Sequence, residues 1–282
     1  MSYVICPVSI VPVRNSSSNK SEMISQLLFG ELAEVLETKG RQWVKVRCAW
    51  DNFVGWAAAN QLKPVTPSEF ERFGRDFAYS LELFHTILAE DFCVPIVMGA
   101  QLPGFDGMRF KLEDHFFTFS GQAVFPEHIE QDTDFILKIA RKYLHAPFLW
   151  GGRSPMGIDA PGLIQMVFKL AGMQMPREAE QQVYLGEAVD FVEQSRPGDI
   201  AFFENKAGRI AHCGIILPNR EVLHAYGSVR IDAIDHFGIY NKKQARYTHR
   251  LRVVKRMLKS KAVEKETAAK AVEKAQGQYE LF

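Results

Sequence analysis

Residues 147–171 read PFLWGGRSPMGIDAPGLIQMVFKLA, and the second half of this stretch predicts a helix. Apolar residues recur there at helical spacing: Ile164, Val167, Phe168 and Ala171. Asp159 precedes this run and can cap the helix by accepting backbone N–H groups. A thiol at position 160 would lie in the first turn, where unsatisfied N–H groups and the helix dipole favour the thiolate. Position 160 holds alanine instead.

The residues that follow this helix predict strands that carry two histidines. Apolar segments lie at residues 199–203, 210–217, 221–225 and 229–231. His212 and His224 fall on the second and third of these segments, and neighbouring antiparallel strands can bring two such side chains together. One histidine can then act as a base while the other orients it. A helical pattern at residues 132–143 precedes the strands, and helices followed by a run of strands predict an α+β domain.

The chain before residue 130 predicts small β units joined by a helix. Apolar and polar residues alternate at 43–47 and in similar short segments between turns, which is typical of a small barrel. Thr66 can cap a helix and Glu69 completes a capping box, so we expect a helix through residues 70–90. The predicted organisation is a barrel at 1–63, a helical linker at 64–91, a second barrel at 92–129, an α+β domain at 130–257 and a charged helical or disordered tail at 258–282.

The composition argues against several classes of protein. The 282 residues carry 34 Lys and Arg against 33 Asp and Glu, and a net charge of +1 gives no general attraction to nucleic acid or anionic membranes. The four cysteines lack the spacing of a metal site. The N-terminus lacks a signal-peptide pattern, and no apolar run reaches the length of a spanning helix. We expect a cytoplasmic protein without a metal or organic cofactor; an exported protein whose signal peptide has been removed is the alternative.

An ordered series of short motifs resembles the NlpC-type cysteine peptidases of bacterial cell-wall peptides. The series comprises WGG at 150–152, GID at 157–159, PGD at 197–199, HCGI at 212–215 and HAYG at 224–227. The resemblance implies a papain-like fold with a Cys–His–His triad that cuts peptidoglycan stem peptides. Residues 1–63 are similar to bacterial SH3-like modules, and this pairing is most like the γ-D-glutamyl-L-diamino acid endopeptidases, also called dipeptidyl-peptidase VI.

The resemblance implies a role for each matching position. His212 falls on the general base and His224 on the residue that orients it. Trp150 matches a wall of the substrate site, and Asp159 matches the residue before the nucleophile. Ala160 falls on the nucleophile itself, so this chain cannot attack a peptide by the family's route.

Two further positions depart from the family and two more are candidate substrate contacts. Phe148 replaces a tyrosine whose hydroxyl helps to hold the oxyanion, and loss of one oxyanion donor typically costs roughly 100- to 1000-fold in rate. Pro161 replaces a serine, although proline is compatible with the first turn of a helix. In the resembling endopeptidases an acidic residue of the SH3-like module pairs with the free amine of the substrate's L-Ala. Asp51 is the candidate here, and Tyr79 is a possible second contact.

The sequence therefore indicates a cysteine-peptidase scaffold for the γ-D-Glu–diamino acid bond, inactive because of Ala160. Its expected partner is a muropeptide or a free stem peptide, with no nucleic acid and no membrane. Two explanations fit the missing nucleophile. A cysteine was replaced deliberately, or the protein is a natural pseudoenzyme that binds cell-wall peptides without cutting them. The retained histidines and Trp150 agree with both explanations.

Overall fold

A computed structural model describes residues 2–129 and 131–258. The N-terminal part is one antiparallel sheet in the order β3-β2-β6-β5-β4-β1-β7. Its strands are β1 (Ser2–Ile5), β2 (Ile10–Arg14), β3 (Met23–Leu28), β4 (Leu32–Lys39), β5 (Trp43–Cys48), β6 (Val54–Ala58) and β7 (Lys63–Val65). Side chains alternate in direction along β5, so Val46 and Cys48 pack into a small core while Arg47 faces solvent. The predicted small β unit at the N-terminus is therefore present.

The connecting segment differs from the prediction. Helix α1 (Pro67–Arg75) begins at Thr66 with the predicted capping box, but it ends at Asp76, where the backbone becomes extended. The expected helix over 70–90 and the helical linker at 64–91 are therefore wrong, because Phe77–Ser80 and Phe84–Leu88 are strands. Pairing with two neighbouring strands and burial of Tyr79 outweigh the local helical pattern.

The second β unit therefore begins at Phe77 rather than at residue 92. Its strands are β8 (Phe77–Ser80), β9 (Phe84–Leu88), β10 (Cys93–Val97), β11 (Gln101–Pro103), β12 (Arg109–Leu112), β13 (His115–Thr118) and β14 (Ala123–Val124). They form two sheets, β10-β9-β13-β12 and β11-β8-β14. Phe105, Phe110, Phe117 and Phe119 pack between them as an aromatic core.

The C-terminal domain places helices against a seven-stranded sheet, as the predicted α+β class requires. The helices are α2 (Thr133–Lys142), α3 (Ala160–Leu170) and α4 (Ala179–Gln182). The strands are β15 (Arg153–Ser154), β16 (Gly157–Ile158), β17 (Glu187–Val189), β18 (Ile200–Glu204), β19 (Ile210–Leu217), β20 (Glu221–Tyr226), β21 (Ser228–Ile234), β22 (Gly238–Asn241) and β23 (Arg246–Arg256). The sheet order is β17-β23-β18-β19-β20-β21-β22, and β22 also pairs with β23.

Helix α3 is the central helix of this domain. Every residue of α3 except Pro161 is buried, and the helix packs against β19, β20 and α2. Three short 3-10 helices complete the described elements: Ala59–Gln61, Pro126–His128 and Val192–Gln194. Among the described helices, none is long and apolar enough to cross a membrane. The predicted tail lies, from residue 259 onward, outside the described residues.

A buried cluster of charges joins the N-terminal module to the C-terminal domain. Glu31 of the N-terminal module accepts hydrogen bonds from Arg153 Nη1 at 2.8 Å and from Lys169 Nζ at 2.5 Å. All three side chains are at most 3% exposed. Arg153 also donates its backbone N–H to Gln26 Oε1 at 2.7 Å. Burial by itself raises the pKa of Glu31, but the two adjacent cations outweigh it and hold the pKa at about 2.

Glu31→Gln is expected to destabilise the whole chain. The substitution leaves two buried cations without their anion, and breaking a buried ion pair costs roughly 3–5 kcal/mol. Urea unfolding followed by tryptophan fluorescence measures the change. Glu34→Gln is the control, because Glu34 pairs with the half-exposed Arg47 at 2.8 Å and such pairs contribute roughly 1 kcal/mol or less. Equal losses of unfolding free energy in both variants would show that the buried cluster contributes no more to stability than the surface pair does.

Candidate active site

Asp159 organises the start of α3. Its Oδ1 accepts the backbone N–H of Gly162 at 2.7 Å, which is the predicted helix cap. Its Oδ2 accepts the backbone N–H of Gly151 at 2.8 Å and a hydrogen bond from Arg177 Nη2 at 2.6 Å. Arg177 therefore acts as an ion-pair partner of the cap. This arrangement fixes the backbone before and after position 160.

A cleft of about 1160 Å³ opens above the start of α3. Ala160, 3% exposed, contributes its methyl group to the wall, next to Pro161. Exposed aromatic side chains form much of the remaining wall: Phe148, Trp150, Tyr226, Phe237 and Tyr247. His212 faces the same cleft. The cleft therefore joins position 160 to the predicted base.

Two adjacent strands bring His212 and His224 into contact, as the sequence predicts. His212 lies on β19 and His224 on β20, and their Nε2 and Nδ1 atoms are 2.9 Å apart. His224 Nε2 lies 3.1 Å from Asp232 Oδ2, and Arg230 Nη2 donates to the other oxygen of Asp232 at 2.8 Å. Asp232 was not predicted from the sequence, although it follows His224 on the next strand.

The carboxylate of Asp232 fixes the direction of this chain of hydrogen bonds. An ionised carboxylate only accepts, so His224 carries its proton on Nε2 and presents a lone pair at Nδ1. His212 then donates from Nε2, and its own lone pair is at Nδ1. Nδ1 of His212 is therefore the nitrogen left to act as a base toward a group in the cleft.

A third histidine lies against this pair. His249 on β23 stacks on His212 with ring centroids 4.1 Å apart, and it also lines the cleft. Its Nδ1 is 2.9 Å from the hydroxyl of Thr248. No motif in the sequence marks His249, because β23 reaches the site only through its pairing with β18 and β22.

The environment keeps all three histidines neutral at pH 7. Burial lowers the pKa of His212 well below its ordinary value, and the neighbouring His249 and His224 add to this effect. Burial also lowers the pKa of His224, although the Asp232 carboxylate opposes the shift. For His249, burial and the adjacent His224 lower the pKa to about 4. Neutral imidazoles are the form in which histidine can accept a proton or bind a metal.

The predicted wall residues lie at the cleft, and one of them spans two domains. Trp150 is 60% exposed, and its indole Nε1 donates to Glu22 Oε1 of the N-terminal module at 2.6 Å. Phe148 is 40% exposed in the same wall and presents no hydroxyl. Gly151 has a φ of 76°, and a Cβ there would collide with the carbonyl of Met23, so glycine allows this close approach of the two domains.

Two predicted substrate contacts lie away from the cleft. Asp51 accepts a hydrogen bond from Gln165 Nε2 at 2.8 Å, on the side of α3 that faces the N-terminal module. Tyr79 is 4% exposed and packs under Lys169, whose Nζ is 4.9 Å from the ring centroid. Neither residue lines the cleft, because packing between the domains occupies these side chains, and their assignment as substrate contacts stays a prediction.

Glu22 is an acidic residue of the N-terminal module that lines a cavity adjoining the cleft. It lines a second cavity of about 580 Å³ beside Trp150, Asp159 and Pro161, and its side chain is exposed. Sequence reasoning missed Glu22 because it sits in a polar turn segment, where acidic residues are ordinary.

Cys213 is buried and does not line the cleft. Its side chain is fully buried in the main core, and its thiol lies 3.8 Å from Gln182 Oε1. Burial raises the pKa of this thiol well above its ordinary value, so it stays protonated. Cys213 alternates with His212 along β19, which turns the two side chains to opposite faces.

Two family models match the domains described above. The NlpC/P60 family matches residues 145–252, and the bacterial dipeptidyl-peptidase Sh3 domain matches residues 13–62. The chain carries an NlpC/P60 domain behind a bacterial SH3 domain. The NlpC/P60 match includes every member of the histidine cluster and position 160.

Several proteins are similar to most of the chain. A γ-D-glutamyl-L-lysine dipeptidyl-peptidase of Bacillus subtilis is 26% identical over 213 residues, which are 71% of this chain and 71% of the relative. A protein of the same name from Bacillus cereus is 24% identical over 240 residues, 74% of this chain and 68% of the relative. The crystal structure of an NlpC/P60 family protein from Bacillus cereus covers 92% of this chain with a TM-score of 0.78 and 19% identity, so the two share a fold.

The neutral histidines of the NlpC/P60 domain predict a loss of stability on mild acidification. Each pKa is lower in the folded chain than its ordinary value near 6.5, so the unfolded chain takes up protons that the folded chain excludes. The stabilisation that the three neutral histidines contribute to the folded chain is complete above pH 6.5. It falls as the pH is lowered, with a slope of up to about 1.4 kcal/mol per pH unit for each histidine.

Urea unfolding at several pH values between 6.5 and 5 measures this slope, above the range where Glu31 and other carboxyl groups titrate. His249→Gln removes one of the three groups, so the free energy of unfolding should depend less steeply on pH in that variant. A slope that is unchanged by the substitution would contradict the assignment of a neutral His249.

Proposed function

We propose that the cleft binds peptidoglycan stem peptides around the γ-D-Glu–diamino acid bond and does not cut them by the cysteine route. The observation that carries the proposal is the chain from Asp232 through His224 to His212, which ends in a cleft whose nucleophile position is Ala160. The substrate class rests on the relatives named γ-D-glutamyl-L-lysine dipeptidyl-peptidase, which match 71% and 74% of the chain.

With a thiol at position 160, the same geometry would support a two-step hydrolysis. His212 would take the thiol proton, and the thiolate would attack the γ-glutamyl carbonyl carbon. His212 would return the proton to the leaving amine, which leaves an acyl-enzyme, and a water activated by His212 would hydrolyse it. His224 and Asp232 hold the tautomer of His212 that this transfer needs. A methyl group at Ala160 offers no lone pair, so the first step does not occur.

The neighbouring positions have also lost polar groups that catalysis would use. Pro161 has no hydroxyl and no backbone N–H, and its carbonyl accepts a hydrogen bond from Gln182 Nε2 at 3.0 Å. Phe148 offers no donor to a developing oxyanion. Three departures in one wall favour a protein that binds its peptide over one that differs from an active enzyme by a single replaced cysteine.

Glu22 replaces Asp51 as the candidate for recognition of the peptide's free amine. Its carboxylate is exposed in the cavity beside Asp159, and the hydrogen bond from Trp150 occupies one of its two oxygens. The other oxygen is free to pair with an ammonium group in the cleft. A carboxylate at this place favours a peptide with an unblocked N-terminal L-Ala over an internal segment of a longer chain.

The first test uses the peptide L-Ala-γ-D-Glu-L-Lys with the unaltered chain and with two variants at position 160. Calorimetry should detect binding to the unaltered chain, and mass spectrometry should detect no cleavage. Ala160→Cys should release L-Ala-γ-D-Glu slowly, and restoring Pro161→Ser and Phe148→Tyr should raise the rate by roughly 100- to 1000-fold. Ala160→Ser is the matched control and should stay inactive. Cleavage by the unaltered chain, or no binding by any variant, would overturn the proposal.

The second test addresses Glu22. Glu22→Gln removes the charge but keeps an oxygen that can accept from Trp150, so the wall should stay in place. Binding of L-Ala-γ-D-Glu-L-Lys should weaken about tenfold, as expected for loss of one charged hydrogen bond. The N-acetylated peptide should bind both forms equally, and Glu37→Gln on the exposed end of β4 should leave affinity unchanged. An equal effect on free and acetylated peptides would rule out amine recognition by Glu22.

A further inference from the structure

We infer that His212, His224 and His249 form a binding site for a borderline transition-metal ion such as Zn²⁺ at the floor of the cleft. Each of the three residues offers a ring nitrogen, and these atoms lie within 4.8 Å of one another. They come from three different strands, β19, β20 and β23, so the sheet itself holds the donors in place. Among the described residues, it is the one group of three or more histidine, cysteine and acidic side chains that are close enough together to hold a metal ion.

The first support comes from the residue behind His224. Histidine ligands of metal sites commonly donate their second N–H to a carboxylate, which fixes the ring and leaves the other nitrogen as the ligand. His224 Nε2 lies 3.1 Å from Asp232, and Arg230 holds Asp232 in turn. Nδ1 of His224 therefore points into the cluster, where it accepts from His212 Nε2. An ion bound between these two nitrogens displaces that proton, and His212 then carries its proton on Nδ1.

The second support comes from Thr248, whose hydroxyl fixes the tautomer of His249 as Asp232 fixes that of His224. The Thr248 hydroxyl lies 3.4 Å from the carbonyl oxygen of Ile239 and donates to it, so it accepts from the Nδ1–H of His249 at 2.9 Å. Nε2 of His249 then keeps its lone pair. Two of the three histidines thus have the partner that sets the tautomer a metal requires.

Metal binding requires small movements of two rings. Zinc–nitrogen bonds of about 2.0–2.1 Å in tetrahedral geometry place two nitrogens roughly 3.3 Å apart, compared with 2.9 Å between His212 and His224. His249 must also turn out of its stack on His212, where the two ring planes are 23° apart. His249 is the less buried of the stacked pair and faces the open cleft, so its ring has room to turn.

The chemistry of position 160 favours such a site over the hydrogen-bonded pair alone. In a chain with a thiol at this position, the base would be committed to that thiol. Because position 160 is alanine, His212 has no thiol to deprotonate. Three histidines and one open position toward a cleft form the donor set of several zinc sites that bind small ligands. This inference concerns the metal ion alone and does not depend on the proposed peptide.

The test titrates Zn²⁺ into the full chain after removal of metals with a chelator. Calorimetry should show one ion per chain, and Co²⁺ should give the visible absorption of a tetrahedral site. His249→Ala should weaken zinc binding at least about 100-fold, and Asp232→Asn should weaken it about 10- to 100-fold. His236→Ala is the matched control, because His236 lines the same cleft outside the cluster and should leave affinity unchanged.

The outcomes separate a built site from adventitious binding. Circular dichroism and the urea midpoint show whether each variant is folded, and a folded His249→Ala protein with unchanged affinity would overturn the inference. Failure of the unaltered chain to bind Zn²⁺ or Co²⁺ would also overturn it, as would equal losses in the His236→Ala control. Peptide calorimetry in chelator tests the proposed function separately, because that binding needs no metal.

Discussion

The carboxylate of Glu31 is the constraint on which the rest of the structure depends. It lies between Arg153 and Lys169 with almost no exposure to water, so the SH3 and NlpC/P60 domains meet through a buried cluster of ion pairs. The main core extends across the same boundary, since Leu28 and Met98 pack with α2 and α3. Arg153 immediately follows the Trp150–Gly152 turn, so the contact with Glu31 also positions the wall of the cleft.

The hydrogen bonds of the site run in one direction, from the histidine at the cleft to the buried carboxylate. Asp232 accepts from His224, and His224 accepts from His212, which leaves one basic nitrogen at the cleft. In a cysteine peptidase this direction would generate a thiolate at the start of α3. In this chain the hydrogen bonds run in that direction, and position 160 is alanine. A site of this kind can hold a peptide or an ion with histidines that are neutral and already ordered.

The local patterns of the sequence predicted the elements around the site because short-range physics decides them. Asp159 caps the helix as its position in the sequence predicts, and the apolar spacing of α3 predicts a buried face. The same reasoning failed between residues 76 and 90, where pairing with distant strands outweighs local helical spacing. Asp51, Tyr79, Glu22 and His249 depend on contacts between domains or between distant strands. The spacing of residues within one segment does not indicate such contacts.

The buried cluster around Glu31 also bears on how such a protein can change over evolutionary time. A recombination event that moved only the NlpC/P60 domain would leave Arg153 and Lys169 without their carboxylate, and one that moved only the SH3 domain would leave Glu31 without its cations. Either product would lose a buried ion-pair cluster, so exchange of one domain alone carries a cost in stability. Residues of the cleft wall such as Ala160 and Pro161 lie outside this cluster.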